Sequence, residues 1–184
     1  MTSRRPLRRG ALRAPLLIAA VLVVLVLTRG CGSDNGDSSE PSGPITARVT
    51  HVVDGDTIDV AMPGGGEETV RYIGIDTPET VKPDNPVECG GPRAHAVNER
   101  LVGGKTVTLR FDAERRDVYD RLLAYVYLPA EPGKRPLFVN AELVRRGLAR
   151  TLTIEPNDSF AELFARLAAR AGALGRGLWG RCPV

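Results

Sequence analysis

The sequence predicts an α+β domain in which five short β-strands form a small closed barrel that carries three helices. Runs rich in β-branched residues alternate between apolar and polar positions, and Asp-Gly or Gly-rich turns separate them, which is typical of strands. Segments with apolar residues at helical spacing lie between and after these runs. The predicted order is three strands, one helix, two strands and two helices.

The five predicted strands are bounded by turns. The segment ITARVTHVVDGDTIDVAM contains two β-rich runs on either side of Asp54-Gly55, a dipeptide that is typical of hairpins. EETVRYIGI follows the turn PGGG as a third run. The last two predicted strands are KTVTLRF and RLLAYVYL.

Three segments are predicted to be helical. GPRAHAVNERLVGG has Pro92 in its first turn and a glycine pair at its end. NAELVRRGL is a short helix that Asn140 would cap. A third helix is expected to begin near Ser159, whose spacing to Glu162 matches a capping box.

The order of these elements is compatible with a closed barrel carrying helices, and the oligonucleotide-binding type is one such barrel. Closure would let short strands that are far apart in sequence bury both their edges and a common core. Periodicity alone does not decide between this barrel and other small mixed folds.

Residues 1–30 have the pattern of an export signal. They contain six arginines and no acidic residue, and residues 14–27 are apolar without a charge. Because a spanning helix needs about 20 apolar residues, this shorter run favours a signal peptide over a permanent membrane anchor. A buried core helix fits the basic flank poorly. We therefore expect an exported protein that is extracellular or tethered to the cell envelope.

The net charge changes sign once this segment is set aside. The whole chain has 25 Lys and Arg against 22 Asp and Glu, and six of those arginines lie in residues 1–30. The remaining residues therefore carry 19 basic against 22 acidic side chains, a net charge of about −3. Overall charge gives no reason to predict nonspecific nucleic-acid binding, so an anionic ligand would need a local site.

Cys31 directly follows the apolar run and begins a polar segment, residues 31–43, rich in Gly, Ser and Asp. This composition predicts a disordered tether. The position of Cys31 is similar to that of the lipid-modified cysteine of bacterial lipoproteins, and Gly30 fits that pattern, whereas the two residues before Gly30 depart from it. Lipidation and a simple exposed thiol are both open.

Cys89 and Cys182 form an even pair within the predicted domain, residues 44–184. Disulfides persist in exported domains, so the pair predicts a bridge between the first long loop and the C-terminus. Two buried free thiols are the alternative.

Acidic residues lie where two predicted strands meet turns. DGDT, residues 54–57, would be a simple hairpin turn if it stood alone. IDTPE adds Asp76 at a strand end, and its Thr-Pro step stiffens the exit and projects Glu79. Carboxylates at adjacent strand ends form an oxygen-only site suited to Ca²⁺ or Mg²⁺. Zinc is disfavoured because the chain has only two histidines.

Two arginines are predicted to lie near these acids. Arg71 interrupts an apolar strand, and Arg121 precedes another. They are solvated charges on the simplest interpretation, but beside a carboxylate-bound metal they would grip phosphate oxygens. A regular pleat places Arg71 and Asp76 on opposite faces, so their convergence requires a bend, expected at Gly74, or strong barrel twist.

Four motifs together resemble the successive motifs of the thermonuclease family, the staphylococcal-nuclease-like enzymes. They occur in the family's order between Ile45 and Trp179, and they are VVDGDTIDV, RYIGIDTPET, DVYDRLLAYVY and VNAELVRRGLAR. The resemblance implies an oligonucleotide-binding barrel of five strands with three helices. It also implies a monomer that hydrolyses phosphodiesters of DNA and RNA with Ca²⁺, expelling the 5′ oxygen and leaving a 3′ phosphate.

The same resemblance implies roles for individual residues. Calcium and two arginines would neutralise the charge that a phosphodiester gains as water adds to phosphorus, and a glutamate would orient or deprotonate that water. By matching position, the calcium ligands would be Asp56, Asp76 and the backbone carbonyl of Thr77, the catalytic residues Arg71, Glu79 and Arg121, and a substrate contact Tyr119.

The chain departs from the family at two places near the substrate. The best-known members have two tyrosines after the second helix that line the nucleotide pocket, and TLTIEPND has none. Because stacking is worth about 1–3 kcal/mol per base, we expect weaker binding or an altered preference. Asp120 stands where glycine is common and adds a negative charge beside Arg121.

The sequence is compatible with two main functions and with a third that fits less well. The first is a secreted or envelope-tethered Ca²⁺-dependent nuclease, and the second is a nonenzymatic barrel that binds nucleic acid. The full set of five charged residues favours the nuclease, because a binding module would not need all five. A structural lipoprotein would require every acidic motif to be only a turn.

Overall fold

The computed structural model describes residues 43–80 and 87–182. The predicted signal or anchor, the tether up to residue 42 and Cys31 lie outside these ranges, so those predictions stand untested. The described residues include no helix that is both long and apolar enough to cross a bilayer. The elements are β1 (Ile45–Val52), β2 (Thr57–Ala61), β3 (Glu67–Tyr72), β4 (Gly74–Asp76), α1 (Gly91–Val102), β5 (Thr106–Arg110), β6 (Leu122–Leu128), β7 (Leu137–Phe138), α2 (Val139–Arg145), β8 (Arg150–Leu152), α3 (Ala161–Ala173) and α4 (Leu178–Arg181).

Five strands close into a barrel, which confirms the predicted fold class. The sheet order is β3-β2-β1-β5-β6-β7, in which the two-residue β7 extends the sheet beside β6. β3 also pairs with β6 in parallel, with Val70 opposite Leu122, and this pairing closes the barrel. The neighbouring pairs β1–β2, β2–β3, β1–β5 and β5–β6 are antiparallel. The β3–β6 pairing removes the free edges that an open sheet of these strands would expose.

The barrel encloses an aliphatic core. In β1, alternate side chains from Ile45 to Val49 are buried, so one face of the strand packs inside and the other meets solvent. The inward positions of the other strands supply fully buried partners, among them Ile58, Val60, Val70 and Leu109. This rigid interior holds the strand ends and loops that carry the polar residues.

Gly74 produces the bend that the sequence predicts. Its φ is +79°, in the left-handed region that glycine adopts readily, and it separates β3 from the short strand β4. A side chain at this position would collide with the Phe164 ring of α3. After the bend, β4 pairs with β8 in a separate two-stranded sheet, so Asp76 turns back toward Arg71.

The first helix agrees with the sequence, whereas two predicted caps are wrong. α1 spans Gly91–Val102 with proline in its first turn. Asn140 lies inside α2 and is buried. It does not cap the helix, because its side-chain amide accepts a hydrogen bond from the Val126 N–H and donates one to the Ile73 carbonyl. Ser159 bonds to Asp112 instead of capping α3, which begins at Ala161. A fourth short helix, α4, was not predicted.

The structure contains the predicted disulfide between Cys89 and Cys182, with 5.7 Å between their Cα atoms. The bridge fastens the segment before α1 to the end of α4. Gly90, next to Cys89, packs so closely on Leu178 that a side chain there would clash. The covalent link therefore lies within a packed contact between the two segments.

Candidate active site

The loop between β1 and β2 presents Asp56 as a buried carboxylate. Only 3% of this residue is exposed. The backbone N–H of Asp56 donates a 2.9 Å hydrogen bond to Asp54 Oδ1. Gly55 is needed between the two aspartates, since a Cβ there would lie 2.7 Å from Thr77 Oγ1. The DGDT motif is thus more than a hairpin turn: it places a carboxylate against the chain that leaves β4.

Arg71 joins the two predicted metal ligands. Its Nη1 lies 2.7 Å from Asp56 Oδ1, and its Nη2 lies 2.9 Å from Asp76 Oδ1. Nη1 also donates to the Ile75 carbonyl at 3.1 Å. The Asp56 side chain is almost fully buried and that of Asp76 is about half exposed. One guanidinium thus bridges a protected carboxylate and an accessible one.

Burial shapes the electrostatics of Asp56. It raises the pKa of this carboxyl to about 7; Arg71 and the Thr77 N–H oppose the rise, and the charge of Asp54 adds to it. A positive charge placed near Asp56 would therefore be favoured, because it would stabilise the ionised form of a costly buried acid.

The donor chemistry fits a hard divalent cation. Asp56 and Asp76 approach each other within the span of one guanidinium, and Asp56 Oδ2 accepts the Thr77 N–H at 2.6 Å, which places the Thr77 peptide at the same point. Within the described ranges no three His, Cys, Asp or Glu side chains are grouped as a metal cluster. A cation here would thus use two carboxylates and complete its shell with backbone, water or substrate oxygens.

Arg121 is held by Asp117 in the loop before β6. Asp117 Oδ2 lies 2.7 Å from Arg121 Nε and 2.6 Å from Nη2, while Oδ1 accepts the backbone N–H groups of Tyr119 and Arg121. The guanidinium also lies 5.3 Å from the centroid of the Tyr119 ring. The local order DVYDR produces this turn, because an aspartate four residues before an arginine can accept hydrogen bonds from both the backbone N–H and the guanidinium of that arginine.

A cavity of about 580 Å³ lies beside these arginines. Arg71, Arg116 and Arg121 contribute its basic side chains. The apolar part of the same cavity is lined by four large, surface-exposed side chains: Val118, Tyr119, Leu152 and Ile154. An anionic group and a flat or apolar group could thus bind side by side. Leu152 and Ile154 come from TLTIEPND, the segment without tyrosines.

Glu79 follows the metal-ligand candidates but lies beyond the cavity lining. Its Oε1 accepts the Thr80 N–H at 3.1 Å, and its backbone exchanges hydrogen bonds with Glu88. Glu88 is next to the disulfide residue Cys89. The structure thus brings Arg71, Asp56, Asp76 and Thr77 together, places Arg121 and Tyr119 at the cavity, and holds Glu79 on the adjoining loop.

Sequence reasoning missed the residues that support this arrangement. Asp117 is not among the predicted site residues, although its four-residue spacing to Arg121 is a local signal. Asp120 has a φ of +64°, which explains why glycine would suit the position. Glu68 and Arg116 form a bidentate ion pair across 48 residues, and no local pattern indicates that contact.

Comparison with known proteins identifies the class that this fold and site define. The sequence model of the family described as staphylococcal nuclease homologue matches residues 69–181. The chain belongs to this family, as its motifs indicated.

Individual relatives are similar in sequence to this chain over 65–90% of its length. It is 36% identical to the thermonuclease of Staphylococcus intermedius, over 90% of this chain and 94% of that protein. It is 33% identical to the thermonuclease of Staphylococcus hyicus, over 89% and 95% of the two chains. It is also 39% identical to the endonuclease YncB of Bacillus subtilis (strain 168), over 65% of this chain and 54% of that protein.

Proposed function

We propose that this protein is a calcium-dependent nuclease that hydrolyses phosphodiester bonds of DNA and RNA. The observation that carries the proposal is the bridge that Arg71 makes between Asp56 and Asp76, next to a cavity that Arg121 also lines. Carboxylates for a cation and guanidinium groups for phosphate oxygens are both needed to stabilise a phosphoryl transition state. The names of the relatives, thermonuclease and endonuclease, support the same activity.

Asp56, Asp76 and the Thr77 carbonyl are the groups proposed to hold calcium. The bound ion would supply positive charge to a phosphate oxygen and orient the substrate. Arg71 contacts both of these carboxylates and also lines the cavity, so its guanidinium could turn toward a phosphate oxygen bound there. With calcium held by these residues, positive charge would remain near the buried Asp56 after Arg71 has turned.

The two arginines are proposed to bind the phosphate oxygens that gain charge as water adds to phosphorus. Arg121 is 32% exposed and lines the cavity, so it can reach a bound phosphodiester. Glu79 would accept the proton of the attacking water or orient it. The bond from phosphorus to the 5′ oxygen would then break, that oxygen would take up a proton, and a 3′ phosphate would remain.

We also propose a location and an oligomeric state for the protein. An exported protein, extracellular or tethered to the envelope through the N-terminal segment or a lipid on Cys31, is consistent with the disulfide between Cys89 and Cys182, since such bonds persist in oxidising compartments. We further propose that the protein acts as a monomer.

Digestion assays test the proposal directly. The purified protein is incubated with single-stranded DNA, duplex DNA and RNA in the presence of Ca²⁺, Mg²⁺ or EGTA, and the ends of the products are analysed. We expect cleavage with Ca²⁺, none with EGTA, and 3′-phosphate ends. A folded protein that binds these substrates without cutting them under any condition would instead support the nonenzymatic binding barrel.

A further inference from the structure

We propose that Arg116, held by Glu68, is a positioning residue that fixes the Arg121 side chain for catalysis. The inference rests on the proposed function, because Arg121 is one of the proposed phosphate ligands. It concerns residues that the family resemblance did not assign.

Arg116 is anchored to the barrel through its guanidinium. Nη1 lies 3.0 Å from Glu68 Oε2, and Nη2 lies 2.9 Å from Glu68 Oε1, a bidentate pair. Glu68 belongs to β3, the strand that also carries Arg71, and it pairs there with Val60 of β2. The pair therefore connects the loop before β6 to the strand that supplies the other catalytic arginine.

The same guanidinium also binds the peptide unit just before Arg121. Arg116 Nη1 donates to the Asp120 carbonyl at 2.8 Å, and the N–H of that peptide unit, which belongs to Arg121, donates to Asp117 Oδ1 at 3.0 Å. Because a peptide unit is planar, bonds at its oxygen and at its nitrogen together fix its orientation. That orientation sets the direction in which the Arg121 side chain leaves the backbone.

This peptide needs such support because of Asp120. Its φ of +64° is a backbone conformation that residues other than glycine rarely adopt, so the backbone there is strained. Arg116 also lies 3.5 Å from Asp120 Oδ1. The Glu68–Arg116 pair thus stabilises, in this chain, a turn that glycine would adopt without help.

A positioning role is separable from a stabilising one. The side chains of Arg116 and Glu68 are 32% and 29% exposed, so solvent screens the pair and limits its contribution to global stability. Removal of the pair should therefore affect turnover more than folding. Arg116 also lines the cavity, so a direct contact with substrate is the competing explanation that the test must exclude.

The test combines Arg116→Gln and Glu68→Gln with Arg121→Ala, using the full-length protein, Ca²⁺ and a single-stranded DNA substrate. The matched control is Arg166→Gln, which removes another ion pair, with Glu162, on α3. We expect Arg116→Gln to lower kcat about 10-fold, since small displacements of a catalytic group are costly. Glu68→Gln should lower kcat by a smaller factor, and Arg166→Gln should leave it unchanged.

The decisive comparison is made in the Arg121→Ala background. If Arg116 acts through Arg121, Arg116→Gln causes no further loss of kcat there. A loss by the same factor in both backgrounds would assign Arg116 a direct contact with substrate or a general structural role, and it would overturn the inference. Full kcat in Arg116→Gln would overturn it as well. Should that variant fail to fold, Glu68→Gln is compared in the two backgrounds in the same way.

A spectroscopic readout separates this inference from the proposed function. The Arg121 Nε–H group donates to Asp117, so its NMR resonance reports the side-chain position without any turnover. Arg116→Gln should shift this resonance, whereas Arg166→Gln should not. A shift in a protein that lacks nuclease activity would support the positioning role and reject the proposed function. An unchanged resonance would reject the positioning role even in an active nuclease.

Discussion

Asp56 Oδ2 accepts a 2.6 Å hydrogen bond from the backbone N–H of Thr77, a residue 21 positions further along the chain. This bond ties the loop after β1 to the exit of β4, so the two acidic motifs form one structural unit. The carboxylate is thereby oriented in advance for the proposed cation. Such preorganisation would lower the cost of assembling a metal site from two separate loops.

Replacement of Asp56 by Asn should weaken calcium binding by at least about 10-fold, because the site loses a charged ligand. The Asn side chain can still accept the Thr77 N–H, so the fold should be retained. Isothermal titration calorimetry measures the affinity. Asp59→Asn is the matched control, since Asp59 lies on β2 and bonds to Thr69 outside the site. An equal loss in both variants would contradict the assignment of Asp56 as a ligand.

Glu79→Gln should lower kcat while calcium binding is retained. Gln cannot accept the proton of the attacking water, and the general-base contribution is typically about 10² to 10⁴-fold. The Thr80 N–H can still bond to the Gln side-chain oxygen, so the loop should keep its shape. Turnover and calcium titration are measured on the same preparation. Loss of the calcium isotherm would make Glu79 a ligand instead.

Asp117→Asn should flatten the acid limb of the stability curve. Burial alone would raise the pKa of Asp117, but hydrogen bonds from Arg121 and nearby backbone N–H groups lower it overall from 3.8. A lowered pKa means that Asp117 stabilises the fold above its unfolded pKa and loses that contribution as the pH falls through the folded value. Denaturant unfolding of both proteins between pH 7 and pH 3 measures the difference.

The wild type should be the more stable protein at pH 7, and the gap should narrow toward pH 3. The Asn variant keeps a similar shape but has no titratable group at this position. A constant gap across the whole range would show that the Asp117 charge is not responsible for it.

Ile154→Tyr should strengthen binding of single-stranded DNA. Ile154 is 63% exposed and lines the cavity, so a ring at this position would face a bound base. Because a stacked base contributes about 1–3 kcal/mol, affinity should rise about 5-fold or more. Fluorescence anisotropy in EGTA measures binding without cleavage. Leu174→Tyr, an exposed leucine that does not line this cavity, should leave affinity unchanged.

Local sequence patterns predicted the strands and helices that are stabilised mainly by residues close together in the sequence. The strands around Asp54-Gly55 and the helix after Gly90 formed as expected, because alternation, turns and caps are short-range signals. Gly74 was also informative, since a bend was the simplest way to bring Arg71 to Asp76.

The failures occurred where a side chain serves a distant partner. Asn140 and Ser159 have good capping chemistry, yet tertiary contacts use their polar atoms instead. The Glu68–Arg116 pair and the short β4–β8 sheet join residues far apart in sequence, and no periodicity encodes such contacts. The acidic residues of the proposed metal site were recognisable because two short patterns, DGDT and IDTPE, carry more acids than turns require.

The disulfide between Cys89 and Cys182 also makes the second half of the chain a covalent ring of residues 89–182. The loop of residues 129–136 lies inside that ring and is exposed throughout. Exposed loops are where proteases cut first, and a single cut here would leave both fragments joined through the bridge. Arg71 and Arg121 both precede such a cut, and the bridge would keep the fragment that follows it, with Leu152 and Ile154 of the cavity, attached to them. A protein with this bridge can be nicked by proteases in its surroundings and still keep all the residues that line the cavity in one molecule.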